Sequence, residues 1–307
     1  MTGPVRIALI GCGRIAQVAH LPALEKADGV ELVAVSDPSQ TVAIAIARRY
    51  DVRAAYSDVT TVWNDPSIEA VLIAAPDRFH FDLTSAALRA GKHVLVEKPL
   101  ASTTEQAEAL VDLVQQTGLK LQVGAMKRHD AGLQYTHQFV RDRLGGAWTF
   151  HAWYRIGNLR RGIEATLFPR VYAEPQGRAV ESSFKEDRQR YLLATHGSHI
   201  FDTVRYMLGD IASVDARHRS QGRDQSWSVL VTTTSGAVGT VSIAAEVPGL
   251  PTEGIEIFGS TGSVRADTYF PFYRLPSSVQ AYADGLAAVT LIEATAASVE
   301  SRHEVKL

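Results

Sequence analysis

The sequence predicts an α/β N-terminal part built on a parallel sheet, followed by an α+β part with an antiparallel sheet. Short apolar runs alternate with helix-period segments as far as residue 123, which is the pattern of βαβ units. A glycine turn joins the first run to the first helical segment. Beyond about residue 124 strands follow one another directly, and two of the connections between them are short and glycine-containing. The expected division is 1–123 and 124–307, and with 307 residues and 46% apolar composition the chain can bury two sizeable cores.

In the first part, Val5–Ile10, Leu32–Ser36, Ala70–Ala75, His93–Val96 and Leu119–Val123 read as strands. Ile15–Lys26, Gln40–Arg49, Phe79–Ala90 and Thr103–Gln116 have helical composition and spacing, with Ser102 or Thr103 as N-cap and Glu105 and Gln106 in the first turn. In the second part a helix over Leu133–Leu144 is closed by Gly145 and Gly146, and Trp148–Arg155 is a strand. Residues 156–190 are charged and glycine-interrupted, without a clear period, and Leu192–Leu208 reads as a helix. Val214–His218, Ser226–Thr234, Ala237–Ala244, Gly254–Phe258 and Gly262–Asp267 are the successive antiparallel strands, and Val279–Val299 is expected to close the chain as a helix.

A formal net charge of −2 gives no electrostatic reason for a nucleic-acid partner. The single cysteine, Cys12, cannot form an intrachain disulfide. Residues 1–30 lack the pattern of a secretory leader, and no run is long enough to span a bilayer, so a soluble cytoplasmic protein without membrane partners is expected. The cysteines and histidines show no metal-site spacing, and there is no nucleophile elbow.

The segment Gly11-Cys12-Gly13-Arg14-Ile15-Ala16 places G-x-G-x-x-A between the first strand and the first helix. Gly11 permits a tight turn, Gly13 lets a pyrophosphate approach the backbone, and Ala16 lets helix and strand pack closely, with phosphates at the helix N-terminus. The second strand ends in Ser36-Asp37, where an acid can bind an adenosine ribose and repel a 2′-phosphate, so NAD is favoured over NADP. Cys12 is either a small residue that fits the turn or a thiol activated by it. The ends of two further strands, Ala75-Pro76 followed by His80, and Glu97-Lys98-Pro99, fall at the carboxyl edge of the sheet, where open α/β folds bind ligands. Pro99 holds the backbone of Lys98 extended, and an ammonium there can hydrogen-bond a substrate oxygen and take part in proton transfer.

On Gly11-Cys-Gly-Arg-Ile-Ala16, Ala75-Pro76 with His80, and above all Ala90-Gly-Lys-His-Val-Leu-Val-Glu97-Lys98-Pro99-Leu100, the chain resembles the glucose–fructose oxidoreductase, inositol dehydrogenase and MocA (Gfo/Idh/MocA) family. The resemblance implies a Rossmann domain with a doubly wound parallel sheet and a substrate domain with a large open, mostly antiparallel sheet, with homo-oligomers (dimers or tetramers) formed through that C-terminal sheet. It also implies an NAD-dependent oxidoreductase acting on a sugar, cyclic polyol or related small molecule. It makes Lys98 catalytic beside the nicotinamide and places Glu97 and His80 near the cofactor. The family's Asp-x-Gly-x-His-x-x-Asp segment reads here Thr195-His196-Gly197-Ser198-His199-Ile200-Phe201-Asp202. His199 is thereby expected at the substrate oxygen with His196 close by, while Thr195 replaces a carboxylate and can pass a proton only through its hydroxyl. Arg128 matches a family arginine near the substrate. In Trp148–Arg155, Tyr154 is a candidate to stack on a sugar ring, with sheet packing as the other use of such aromatics. Two other activities stay open: an enzyme that retains NAD and oxidises only transiently, for elimination, epimerisation or glycoside cleavage, and a non-catalytic NAD-dependent regulator.

Overall fold

The computed structural model describes residues 3–157, 172, 187–269 and 277–283. The chain divides into two compact units, Met1–Met126 with Arg160–His199, and Lys127–Leu159 with Ile200–Leu307.

The first unit holds a parallel sheet of β1 (Val5–Ile10), β2 (Val30–Ser36), β3 (Ala54–Tyr56), β4 (Ala70–Ile73), β5 (His93–Val96) and β6 (Leu121–Val123), in the order β3-β2-β1-β4-β5-β6. This is the doubly wound Rossmann order, with the switch point between β1 and β4. Alternate residues of one strand serve opposite faces: Ala8 and Ile10 join a core with Val71, Ile73, Val94, Val96 and Leu110, whereas Leu9 joins Val35, Leu72, Ala43 and Ile46 on the other side. Burial on both faces is why these strands read as continuous apolar runs. The strand Ala54–Tyr56 was not expected; its three residues, Ala-Ala-Tyr, are all half-buried and form too short a run to read as a strand.

The helices are α1 (Leu21–Leu24), α2 (Gln40–Arg49), α3 (Thr60–Asn64), α4 (His80–Arg89) and α5 (Thr104–Thr117); α2, α4 and α5 follow the reading closely, while the five-residue α3 was not expected. Of the two candidate caps on α5 it is Thr103 that accepts from the Gln106 N–H, at 3.3 Å, while the Gln106 side chain accepts from Ser102 N–H at 3.1 Å. The expected first helix, Ile15–Lys26, contains a π-helical turn over Ala16–His20 before α1. Pro22 has no N–H to donate back to the preceding turn, so the ladder widens there. A second π-helical turn, Leu193–Gly197, lies between α7 (Arg188–Leu192) and α8 (Ser198–Leu208), within the helix expected over Leu192–Leu208.

The second unit carries α6 (Ala131–Arg143) and a sheet of β7 (Ala147–Ile156), β8 (Ile211–Gln221), β9 (Asp224–Thr233), β10 (Val238–Ala245), β11 (Thr252–Gly259), β12 (Gly262–Thr268) and β13 (Ser278–Ala283), ordered β13-β12-β11-β7-β10-β9-β8. Every pairing is antiparallel except β7 with β10. Phe150, Ala152, Tyr154 and Ile156 of β7 are buried with Val229, Val231, Val241, Ile243, Ile255 and Ile257. Two aromatic rings lie over glycines of neighbouring strands: a Cβ on Gly239 would stand 2.4 Å from Phe150 Cδ1, and one on Gly254 would stand 2.4 Å from Trp153 Cζ2. These contacts fix the register of β7 on both sides, because any side chain at either glycine would displace the ring.

In the second unit the C-terminal element departs from the reading. Residues 278–283 form β13 and pair with β12, so the helix expected over Val279–Val299 does not start there; residues 284–299 lie outside the described residues. Ser278, Gln280 and Tyr282 are exposed while Val279 and Ala281 are half-buried, a period of two that the pairing of Val279 with Ala266 and of Ala281 with Val264 explains. Most of the charged 156–190 stretch also lies outside the described residues.

Candidate active site

In the first unit three strand ends are joined to one another. Gly11 has φ +87°, and a Cβ there would come within 2.8–2.9 Å of the Ala74–Ala75 backbone, so only glycine lets β1 turn against the end of β4. His80, 1% exposed, joins β4 to β5: one ring nitrogen lies 2.9 Å from the Ala75 carbonyl and the other 2.6 Å from the Pro99 carbonyl. His20, from the π-helical turn after β1, donates through Nε2 to Glu97 Oε1 at 2.8 Å, tying the first helix to the end of β5.

The glycine turn has the shape a dinucleotide needs. A Cβ on Gly13 would meet nothing within 4 Å, so the backbone there borders open space. Asp37 holds the turn from the second strand, its carboxylate accepting the Cys12 N–H at 2.9 Å through one oxygen and the Ser39 N–H at 2.9 Å through the other. Each oxygen keeps a lone pair for a further donor such as a ribose hydroxyl. Cys12 is the small residue that fits rather than an activated thiol: it is fully buried, and burial, with the Asp37 charge adding to it, pushes the thiol pKa up instead of down. Ile15 packs against the Leu9 core, and Arg14 is exposed on the turn.

The charges that follow β5 are accounted for locally. Glu97 accepts from His20 through Oε1 and from the Lys98 backbone N–H, at 3.1 Å, through Oε2. Burial pushes the Glu97 carboxyl up, but the hydrogen bond from His20 and the attraction of His20 and Lys98 outweigh it and hold the group below the ordinary glutamate range. The Lys98–Pro99 peptide is cis. The Lys98 ammonium donates to the Thr195 carbonyl at 3.3 Å, an oxygen that also accepts from Ser198 Oγ at 3.2 Å. The contact is with the main chain of residue 195, so this bond does not depend on the Thr195 side chain. Thr195 and the buried His196 both lie in the π-helical turn Leu193–Gly197, a distortion that recurs at functional sites, and His199 follows in the first turn of α8.

In the second unit Arg128 is held by Asp202: Nε donates to Oδ2 at 2.9 Å and Nη2 to Oδ1 at 2.6 Å. The guanidinium carbon lies 5.3 Å from the Tyr206 ring centroid, and Tyr206 stacks on His137 at 4.3 Å. The neighbouring Lys127 anchors the same turn to the sheet, donating to the buried Glu253, to the Tyr269 carbonyl at 2.9 Å and to Thr268 Oγ1 at 3.4 Å. Tyr154, a candidate ring for stacking on a sugar, is instead 2% exposed and part of the buried sheet face, so it offers no ring surface to a ligand.

His20, Gln17 and Lys127 were not singled out in the sequence. For the first two a signal existed: they are the only polar side chains in the otherwise apolar run Ile15–Leu24, and they lie three residues apart on one side of the turn.

Residues 5–125 match the family model described as an oxidoreductase family with an NAD-binding Rossmann fold, and residues 155–265 match the model of the Gfo/Idh/MocA C-terminal domain. The chain is similar to the 4-carboxy-2-hydroxymuconate-6-semialdehyde dehydrogenase of Sphingobium sp. (strain NBRC 103272 / SYK-6), 28% identical over 244 residues, covering 78% of this chain and 72% of that protein. It is similar also to the scyllo-inositol 2-dehydrogenase (NAD(+)) of Bacillus subtilis (strain 168), 27% identical over 273 residues, 86% of this chain and 74% of that one. Among solved structures the fold matches that of myo-inositol 2-dehydrogenase from Lactobacillus plantarum, with a TM-score of 0.71 at 20% identity over 85% of this chain and 76% of that one.

Proposed function

Because the chain belongs to the Gfo/Idh/MocA oxidoreductase family, with its NAD-binding Rossmann domain, we propose that it exchanges a hydride between NAD and a carbinol or ketone carbon of a sugar, cyclic polyol or related polyhydroxylated compound. The observation that carries the reading is the placement of Lys98: an ammonium at the carboxyl end of a central parallel strand, held by the Thr195 carbonyl and following a carboxylate locked by His20.

The residues present suit the dinucleotide. The open backbone at Gly13 receives the pyrophosphate, and the remaining lone pairs of Asp37 receive the adenosine ribose hydroxyls, its charge disfavouring NADP. The bound cofactor supplies the hydride acceptor or donor. As the neutral amine, Lys98 Nζ would take the substrate hydroxyl proton while the hydride leaves for the nicotinamide, becoming the ammonium; in reduction the ammonium would give that proton to the carbonyl oxygen and return to the amine. His199 shares the contact with that oxygen, and the Thr195 carbonyl, engaged by both Nζ and Ser198, keeps the ammonium from swinging away. Asp202 and Tyr206 hold Arg128 in one orientation as a donor to substrate oxygens. The test is formation of reduced nicotinamide by the purified protein with NAD and such compounds.

The protein also assembles, in this reading, as a dimer or tetramer through the C-terminal sheet. The sheet face opposite Tyr154 exposes Leu230, Val238, Phe258 and Tyr282 on four different strands, an apolar surface that a second copy would cover. Sedimentation equilibrium is expected to give a multiple of the 33.4 kDa chain mass, and a monomer at micromolar concentration would contradict this part of the reading.

A further inference from the structure

Gln17 is 5% exposed, and its amide is engaged at both ends. Nε2 donates to the Cys12 carbonyl at 2.7 Å and to the Tyr172 carbonyl at 2.8 Å, while Oε1 accepts the Tyr172 N–H at 2.8 Å. Both amide hydrogens and the amide oxygen are thus spent on backbone, and two of the three bonds go to the N–H and C=O of one residue distant in sequence. The geometry of Tyr172 decides which end of the Gln17 amide faces Cys12: its N–H requires the amide oxygen, which leaves the NH₂ group for the Cys12 carbonyl.

The Cys12 carbonyl belongs to the peptide unit whose N–H is that of Gly13. In a planar trans peptide the C=O and the N–H point in opposite directions. Fixing the carbonyl on Gln17 therefore fixes the Gly13 N–H on the other side of the same plane. The preceding peptide is fixed as well, since the Cys12 N–H is held by Asp37 at 2.9 Å. Gly13 is also the residue whose missing Cβ would meet nothing within 4 Å, and its own carbonyl accepts the Gln17 N–H at 3.1 Å. The glycine turn is held from two sides, and the Gly13 N–H is presented on the side away from Gln17, where a phosphate oxygen can approach.

We propose that Gln17 is a positioning residue for the dinucleotide: locked by the backbone of Tyr172, it aims the Gly13 N–H at the pyrophosphate, so that docking of residue 172 and binding of the pyrophosphate support each other. The inference rests on the dinucleotide reading of the glycine turn and adds to it a residue outside the G-x-G-x-x-A pattern. By the reciprocity of linkage, a bound pyrophosphate that favours one orientation of the Cys12–Gly13 peptide also favours the Gln17–Tyr172 bonds.

The test uses the full chain, with NAD and ADP as probes in titration calorimetry and amide hydrogen exchange read at Tyr172. Two variants approach the contact from opposite sides: Gln17→Leu removes the amide, and Tyr172→Pro removes the N–H of an exposed residue without altering the buried one. Each is expected to weaken NAD and ADP about tenfold, the loss of roughly one net hydrogen bond's worth of orientation. In the wild type NAD is expected to slow exchange at Tyr172, and in Gln17→Leu it is not. Wild-type protein that binds NAD with Tyr172 exchange unaffected by NAD, or a folded Tyr172→Pro variant with unaltered NAD and ADP affinity, would overturn the proposal while leaving the dinucleotide reading intact. Wild-type protein that binds neither probe would overturn both.

Discussion

Lys98→Met is expected to lower turnover by about 10²- to 10⁴-fold, the usual contribution of a positioned general acid or base, with NAD affinity nearly unchanged. Methionine keeps the length and apolar stem of lysine but removes all three donors, so the bond to the Thr195 carbonyl and any bond to a substrate oxygen disappear together. The surrounding frame should survive. Glu97 is held by His20 and by the backbone N–H of residue 98, which the substitution leaves in place, and His80 still connects the Ala75 and Pro99 carbonyls. Steady-state rates at saturating substrate, alongside NAD titration, separate the two effects. Equal loss of kcat and kcat/KM marks an interaction made in the transition state. Unchanged turnover would remove Lys98 from the chemistry.

Asp37→Ala is expected to lower the preference for NAD over NADP, expressed as a ratio of kcat/KM values, by about 10²-fold, since hydrogen bonds to a charged acceptor contribute roughly 1.5–3 kcal/mol each. Two losses add up in this variant. The ribose hydroxyls lose their acceptor, and the 2′-phosphate of NADP loses the charge that repelled it. A third effect is specific to this chain: the Cys12 and Ser39 N–H groups both lose their partner, which loosens the glycine turn for either cofactor. Comparing NAD with NADP cancels that common part, and a urea unfolding curve measures it separately. Lower stability with an undiminished NAD preference would leave Asp37 as a lock on the turn and nothing more.

Most of the first unit could be read from the sequence because strands buried on both faces leave unbroken apolar runs, and because Gly11 of the first turn is required by its left-handed backbone and its close approach to the end of β4. The edge strand Ala54–Tyr56, three half-buried residues long, was too short to read. The helix expected from Val279 began on residues that form a strand, because alanine and glutamine suit a helix as well as an exposed edge, and only the pairing with β12 decides between them. The site was legible where its residues belong to one short motif. What sequence could not supply were contacts between distant positions: His20 with Glu97, Gln17 with Tyr172, and Lys127 with Glu253. Nor could it tell that Lys98 meets residue 195 through a main-chain carbonyl, because the identity of a side chain says nothing about which of its backbone atoms faces a neighbour.

The most direct measurement is reduced-nicotinamide formation by purified wild-type protein and Lys98→Met with NAD, across monosaccharides, glycosides, inositols and sugar acids. The account predicts net reduction of NAD with at least one of these groups by the wild type, and loss of that signal in a Lys98→Met variant that still binds NAD. Silence of the wild type across the whole panel, in protein shown to bind NAD, or equal rates for the two proteins, would contradict it.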